Sequence, residues 1–418
     1  MAALLAGCGG SPSTFAGAGA LPHGNALVSA DAERVLHSFA GGADGAYPDA
    51  APISVDGELY GTTSLGGNGG CVDVHACGTV YKVSASGQER ILHVFKSGSD
   101  GEAPGASLIN VGGTLFGTTI YGGGPGCKSR NTRGCGTVFS ITTSGEELVL
   151  YRFAGGAQGA MPDAPLTAFK GSLYGEASAG GTGKCAYTFY RGCGLIFKMS
   201  PSGNANILYT FKGGKDAGTP TGGLLMLNGH FYGTSSSGGS NRCYFSYGCG
   251  TVFEVTPTGT ETILHRFKGS SHDGAIPGGG LAALNGNLYG VTFSGGKNNC
   301  GLTYYLPCGT VFEVTLSGKE RIVYNFKGGA DGGFPNAIVA AGGNLYGTTP
   351  NGGAGCGLGC GTVFKMTPAG EKTILYRFAG PPDGSVPESA LIDASNTLYG
   401  TSEVGGTHGN GTIYAVTP

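Results

Sequence analysis

Between Ala106 and Phe153 the apolar residues fall into four short runs, none with the length or spacing of a helix. They are Ala106-Ser-Leu-Ile-Asn110, Thr114-Leu-Phe-Gly-Thr-Thr119, Gly136-Thr-Val-Phe-Ser-Ile-Thr142 and Glu147-Leu-Val-Leu-Tyr-Arg-Phe153. Each is rich in β-branched and aromatic residues and bounded by turn residues, which predicts four strands, a to d. Between a and b stand dipeptides such as Asp56-Gly57, Asn228-Gly229 and Asn285-Gly286, suited to two-residue hairpins with positive φ. Between c and d, Ser200-Pro-Ser-Gly203 and Thr367-Pro-Ala-Gly370 fit type I turns.

This unit recurs. An aromatic-Gly step in strand b appears at Tyr60, Phe116, Tyr174, Tyr232, Tyr289, Tyr346 and Tyr399, at intervals of 56, 58, 58, 57, 57 and 53 residues. A regular period of this length means one supersecondary unit stacked on copies of itself. Seven copies of four antiparallel strands predict an all-β fold, a seven-bladed β-propeller. The first element, Glu33–Phe39, is a strand d with no blade before it, and the last, Gly411–Val416, is a strand c with no d after it. Together they complete the seventh blade, with the N-terminal strand outermost, so the ring hides its own edges. The expected division is residues 1–8, a truncated signal; 9–32, a tether; and 33–418, the propeller. Within it, 33–39 is the outer strand of blade 7, and blades 1 to 6 span about 40–96, 97–154, 155–212, 213–268, 269–327 and 328–379. Blade 7 takes residues 380–418.

Composition alone would raise the question of disorder, since Gly (86) and Pro (20) make about a quarter of 418 residues. Their fixed positions in the repeat make them turn residues instead. Charged residues are 12% and the net charge is −2, which with no basic stripe excludes nucleic acid as the expected partner. No apolar run reaches the roughly 18 residues of a membrane-spanning helix.

At the N-terminus, Leu5-Ala6-Gly7-Cys8 resembles a bacterial lipobox, in which Cys8 would be lipidated. The basic and apolar regions of a full signal are missing, so a start upstream of Met1 is expected. Residues 9–32, rich in Gly, Ala, Ser and Pro, suit a flexible tether.

The other twelve cysteines fall two per copy in the first six b–c loops. The repeat pairs Cys71 with Cys77, Cys127 with Cys135, Cys185 with Cys193, Cys243 with Cys249, Cys300 with Cys308 and Cys356 with Cys360. Zinc binding is the competing assignment, but no histidine recurs beside them as closed zinc sites require. Disulfides imply an oxidising compartment, in keeping with a bacterial envelope protein, lipid-anchored or secreted.

Among polar residues, His37, His93 and His265 take the strand-d position held elsewhere by Tyr151, Tyr209, Tyr324 and Tyr376. That interchange suits a structural ring with a polar tip. Asp44, Asp100, Asp216, Asp273, Asp331 and Asp383 recur in the d–a connection, all but Asp216 directly before Gly, and are expected to form turns. The residue after the loop proline leads into the innermost strand and is expected at the channel mouth: Asp49, Asp163, Asn336 and Glu388 carry polar groups there, Gly105, Thr221 and Gly278 small ones. Turn duty and a ligand site are both open for them; no cofactor is implied, though a cation such as calcium at the mouth is one option. Blade 3 breaks the pattern, with Glu176 for Thr and Gly194-Leu-Ile-Phe197 for Gly-Thr-Val-Phe. Glu176 and Asp163 are thus the candidate carboxylate pair for acid–base work on a sugar, against simple drift between copies.

The b–c and d–a connections leave a four-stranded blade on the same face, and both are long. Aromatic residues gather there: Tyr121, Tyr187, Phe189, Tyr190, Tyr244, Phe245, Tyr247, Phe293, Tyr304 and Tyr305. They either form a binding surface or cover glycine-rich backbone. The linked motifs Cys-Gly-Thr-Val-Phe-Glu-Val-Thr-Pro, Ile-Leu-His-Arg-Phe-Lys-Gly and Asn-Leu-Tyr-Gly resemble the GloVer tandem repeat of exported bacterial proteins with a choice of surface anchors. The resemblance spans residues 33–418; it implies an exported, anchored protein and brings no catalytic residues. The expected function is a monomeric binding module for an extracellular carbohydrate or protein. A polysaccharide hydrolase or lyase and a passive envelope component are the alternatives.

Overall fold

A computed structural model describes residues 33–68, 77–124, 134–185, 191–239, 243, 248–269, 271–300, 307–353 and 355–418. Seven four-stranded antiparallel blades form a seven-bladed β-propeller, with helix among the described residues limited to three single 3₁₀ turns. In blade 1 the strands are Ile53–Val55, Glu58–Thr63, Thr79–Val83 and Glu89–Val94, paired in that order from the inside outward. The short first strands of neighbouring blades touch one another, which places them around the axis. The ring closes as the sequence predicts: Glu33–Ser38 pairs antiparallel with Thr412–Val416, from Glu33 opposite Val416 to Ser38 opposite Thr412. The a–b turns carry the expected positive φ at both residues, as at Asn228 (52°) and Gly229 (83°).

The aromatic-Gly step has a packing reason. Gly117 lies opposite Phe139 in the b–c ladder, and a Cβ on Gly117 would stand 2.6 Å from the Phe139 ring. The glycine makes room for the large ring of strand c. That ring then meets the phenylalanine ending the outer strand of the preceding blade. Phe39–Tyr81, Phe95–Phe139, Phe153–Phe197, Phe211–Phe253, Phe267–Phe312, Phe326–Phe364 and Phe378–Tyr414 repeat this contact at all seven junctions, with ring centroids 4.9–5.4 Å apart. Such pairs contribute roughly 0.5–1.5 kcal/mol each beyond the area they bury. The core is therefore seven stacks between blades rather than one centre.

Two hydroxyl positions in Gly-Thr-Thr divide the polar work. The second pairs with the strand-c threonine, as Thr63 with Thr79 and Thr119 with Thr137, both at 2.8 Å. The first reaches the next blade: Thr234 donates to Gly279 O, Thr348 to Ser389 O and Thr401 to Ala50 O at 3.0–3.1 Å. Blade 3 changes both partners of the strand b–strand c pair together: Ala177 and Leu195 replace the hydroxyl pair and join an apolar cluster.

Candidate functional site

The stapled face is built from the end of strand b, the b–c loop and the start of strand a. Cys185–Cys193, Cys243–Cys249, Cys300–Cys308 and Cys356–Cys360 are disulfides with Cα atoms 5.0–5.2 Å apart. Cys77 and Cys135 are disulfide-bonded as well, and their expected partners Cys71 and Cys127 lie outside the described residues. Cys8 does too. The second cysteine of each pair is fully buried, and its carbonyl accepts an N–H from the next blade at 2.8–2.9 Å: Ala103, Met161, Thr219, Ile276, Phe334 and Val386 are the donors. Blade 7 has Asn410 in the cysteine's place, accepting from Tyr47 N at 3.0 Å.

Those seven donors all precede the loop proline, and all hold φ between 52° and 59°, a left-handed conformation uncommon for side-chain-bearing residues. A second hydrogen bond holds them there; Ser64 N donates to Tyr47 O, and Glu403 N to Val386 O, both at 3.0 Å. Asp49, Gly105, Asp163, Thr221, Gly278, Asn336 and Glu388 are each half-buried, directly after a buried proline.

The polar members are unevenly spread. Blades 7 and 1 bring together Asp49, Glu388 and Glu403. Burial, then the charges of Glu388 and Asp49, push Glu403 up to about 8. Burial lifts Asp49 to about 7 with Glu388 adding to the rise, against a lowering hydrogen bond from Ser64. Glu388 is also raised, by burial. Sequence reasoning missed Glu403. Its signal was register: it follows Gly-Thr-Ser as Ser64 and Ser178 follow their Gly-x-x triplets, one position along strand b.

Glu176 is fully enclosed, and its Oε2 accepts from Gly223 N at 2.9 Å across the junction to blade 4. It makes the inter-blade tie that threonine makes elsewhere, with an acceptor in place of a donor. Its Oε1 has no hydrogen-bond partner. Burial raises Glu176 to about 8, with the charge of Asp163 contributing, and burial raises Asp163 to about 6. The two candidate carboxyls thus sense one another, but Glu176 has no exposure to the channel.

Of the aromatic residues expected on the loops, Tyr187, Phe189, Tyr190, Tyr244, Phe245, Tyr247, Tyr304 and Tyr305 lie outside the described residues. Tyr121 is half-buried at the loop base, its backbone bridged to Glu102. Phe293 belongs to a strand, Asn287–Gly295, rather than a loop. The strand runs on because the start of strand a pairs with it, Pro277 facing Thr292; the ring packs on Phe334 at 4.9 Å.

A family model for the Gloeobacter/Verrucomicrobia repeat matches residues 25–245 and 242–418. The chain belongs to this repeat family. Family repeats of this kind fill the propeller from the closing strand to the C-terminus, as the GloVer resemblance implied. No sequence among curated proteins matches the chain. Similar solved folds include a nidogen/laminin complex, 12% identical over 71% of this chain and 89% of that one, with a TM-score of 0.41. A luciferin-regenerating enzyme is 13% identical over 73% and 88%, with a TM-score of 0.43. The GH74 enzyme of Niastella koreensis is 13% identical over 86% of this chain, which spans 50% of its length, with a TM-score of 0.47.

Proposed function

We propose that this family member is an exported binding module that takes an extracellular ligand, carbohydrate or protein, on its stapled loop face. The observation that carries the reading is the convergence, on one face, of the variable disulfide-bonded loops and the Asp49–Glu388–Glu403 group. Carboxyls lifted toward neutrality exist partly as acids and partly as carboxylates, so they donate as well as accept hydrogen bonds. Sugar hydroxyls need both, which favours a carbohydrate. The disulfides suit an oxidising compartment, and lipidation at Cys8 would hold the module at the bacterial envelope. The test is a glycan array and a panel of extracellular matrix proteins, probed with residues 9–418 with and without reductant. Binding that reductant weakens supports the reading; no binding in either form leaves the passive envelope role. Polysaccharide turnover lost in Glu176→Gln would support the hydrolase or lyase instead. For the anchor, Cys8→Ala should move the protein from the membrane fraction to the soluble one; unchanged partitioning contradicts lipidation.

A further inference from the structure

The outer rim holds a second set of repeated groups, where each d–a connection meets the next blade. At each junction three positions meet: the ring residue of strand d, the aspartate of the d–a connection, and the first residue of strand d in the next blade. In three junctions these are His37, Asp44 and Glu89; His93, Asp100 and Glu147; and His265, Asp273 and Glu320. One nitrogen or oxygen from each residue lies within 4.8 Å of the other two. The imidazole Nε2 stands 3.4, 3.4 and 3.3 Å from the aspartate. Two ligands of a tetrahedral zinc ion, each about 2.0–2.1 Å from the metal, are separated by roughly the same 3.4 Å.

Oε1 of Glu89, Glu147 and Glu320 is buried without a hydrogen bond, beside the histidine–aspartate contact of its own junction. A buried polar oxygen without a hydrogen bond is costly. The aspartates are already oriented: Asp100 Oδ2 accepts from Lys96 N at 2.8 Å and Asp273 Oδ2 from Lys268 N at 2.9 Å, the outer-shell support that metal-ligating carboxylates receive.

The other junctions show what the cage takes. At Tyr324 and Asp331 the third position is Lys372, whose ammonium sits 2.8 Å from Asp331 Oδ1 with a side chain only 3% exposed. It also lies 4.9 Å from the Phe326 ring centre. Where the chain supplies a cation of its own, the cage holds it. Where the ring is tyrosine and both acids remain, the phenol supplies a proton: Tyr209 donates to Asp216 at 3.1 Å, and Tyr376 to Asp383 at 2.9 Å. At Tyr151 both acids are gone together, replaced by Gln158 and Ala205. Only the histidine junctions combine two carboxylates with a ring nitrogen carrying a lone pair.

We propose that the three histidine junctions are zinc sites, each ion held by the imidazole Nε2 and one oxygen from each carboxylate. Two carboxylates and a neutral imidazole balance the dication, and three protein ligands leave a fourth position open. Calcium, which takes six to eight oxygens, does not fit this set.

The repeat supplies its own control, because tyrosine occupies the histidine position in four junctions. Residues 9–418, stripped with chelator and dialysed against micromolar zinc chloride, should retain three ions per chain by mass spectrometry of the metal. His37→Tyr, His93→Tyr and His265→Tyr should each remove one, and the triple variant should retain none while keeping its circular dichroism spectrum. Tyr209→His, which recreates the set with Asp216 and Glu261, should add a fourth. Zinc should raise the melting temperature of the native chain and leave that of the triple variant unmoved. Zinc content unchanged by the single substitutions, or no gain from Tyr209→His, overturns the proposal even if the triple variant fails to fold.

Discussion

At the residue scale, the protein places ionisable groups where few proteins would leave them unpaired. Glu176 is the clearest case. Its carboxyl is lifted from 4.5 to about 8 by burial, so the folded state binds a proton that the unfolded chain releases above about 4.5. Stability contributed by that proton is full below the unfolded value and lost as pH rises through the folded one. Glu403 and Asp49, at about 8 and 7, act in the same direction. Melting temperature should therefore fall between pH 5 and 9. Glu176→Gln keeps an acceptor for Gly223 N and removes the titration, so its decline should be shallower and the variant more stable than the native chain at pH 9. The difference should be on the order of a few kcal/mol. Parallel melting curves in the two proteins across that range would show that Glu176 does not ionise in the fold.

Elements explain why so much of the fold was legible and so little of the site. Strand existence, turn type and cysteine pairing all rest on residues adjacent in sequence or one loop apart. Gly117 before a ring-bearing strand c, or Asn228-Gly229 between two apolar runs, states its own geometry. The rim clusters do not, because His37 and Glu89 stand about 50 residues apart and meet only through the stagger of one blade on the next. Glu403 was equally hidden; only the observed register sets it beside Glu388. The pairing of Gly117 with Phe139 makes a direct test of element packing. Gly117→Ala puts a methyl within 2.6 Å of that ring and should cost about 1–3 kcal/mol by overpacking, read from denaturant midpoints. A neutral effect would mean the ring is free to move aside. At the loops, Cys300→Ser with Cys308→Ser should cost roughly 2–2.5 kcal/mol, the chain-entropy value for so short a ring. Full stability without the bridge would assign it no share in holding the face.

The propeller of residues 33–418 is a ring closed by the strand Glu33–Ser38. Glu33–Ser38 covers the edge of Thr412–Val416, and Phe39 fills the stack against Tyr81. Removing residues 9–32 should leave the melting temperature unchanged. Removing 9–39 should lower it sharply and expose a strand edge to association, seen as aggregation on size-exclusion chromatography. A monomer of native stability after the longer deletion would contradict closure by this strand. The ring also decides where function can sit. One face carries minimal turns; the other carries the stapled loops, with Asp49, Glu388 and Glu403 grouped between blades 7 and 1. The central claim is that this second face binds. Its most direct test is a glycan array comparing the native chain with Asp49→Asn/Glu388→Gln/Glu403→Gln. The account predicts a defined class of glycans bound by the native protein and at least tenfold weaker binding by the triple variant at equal stability. Glycan binding of equal strength in both proteins would contradict it.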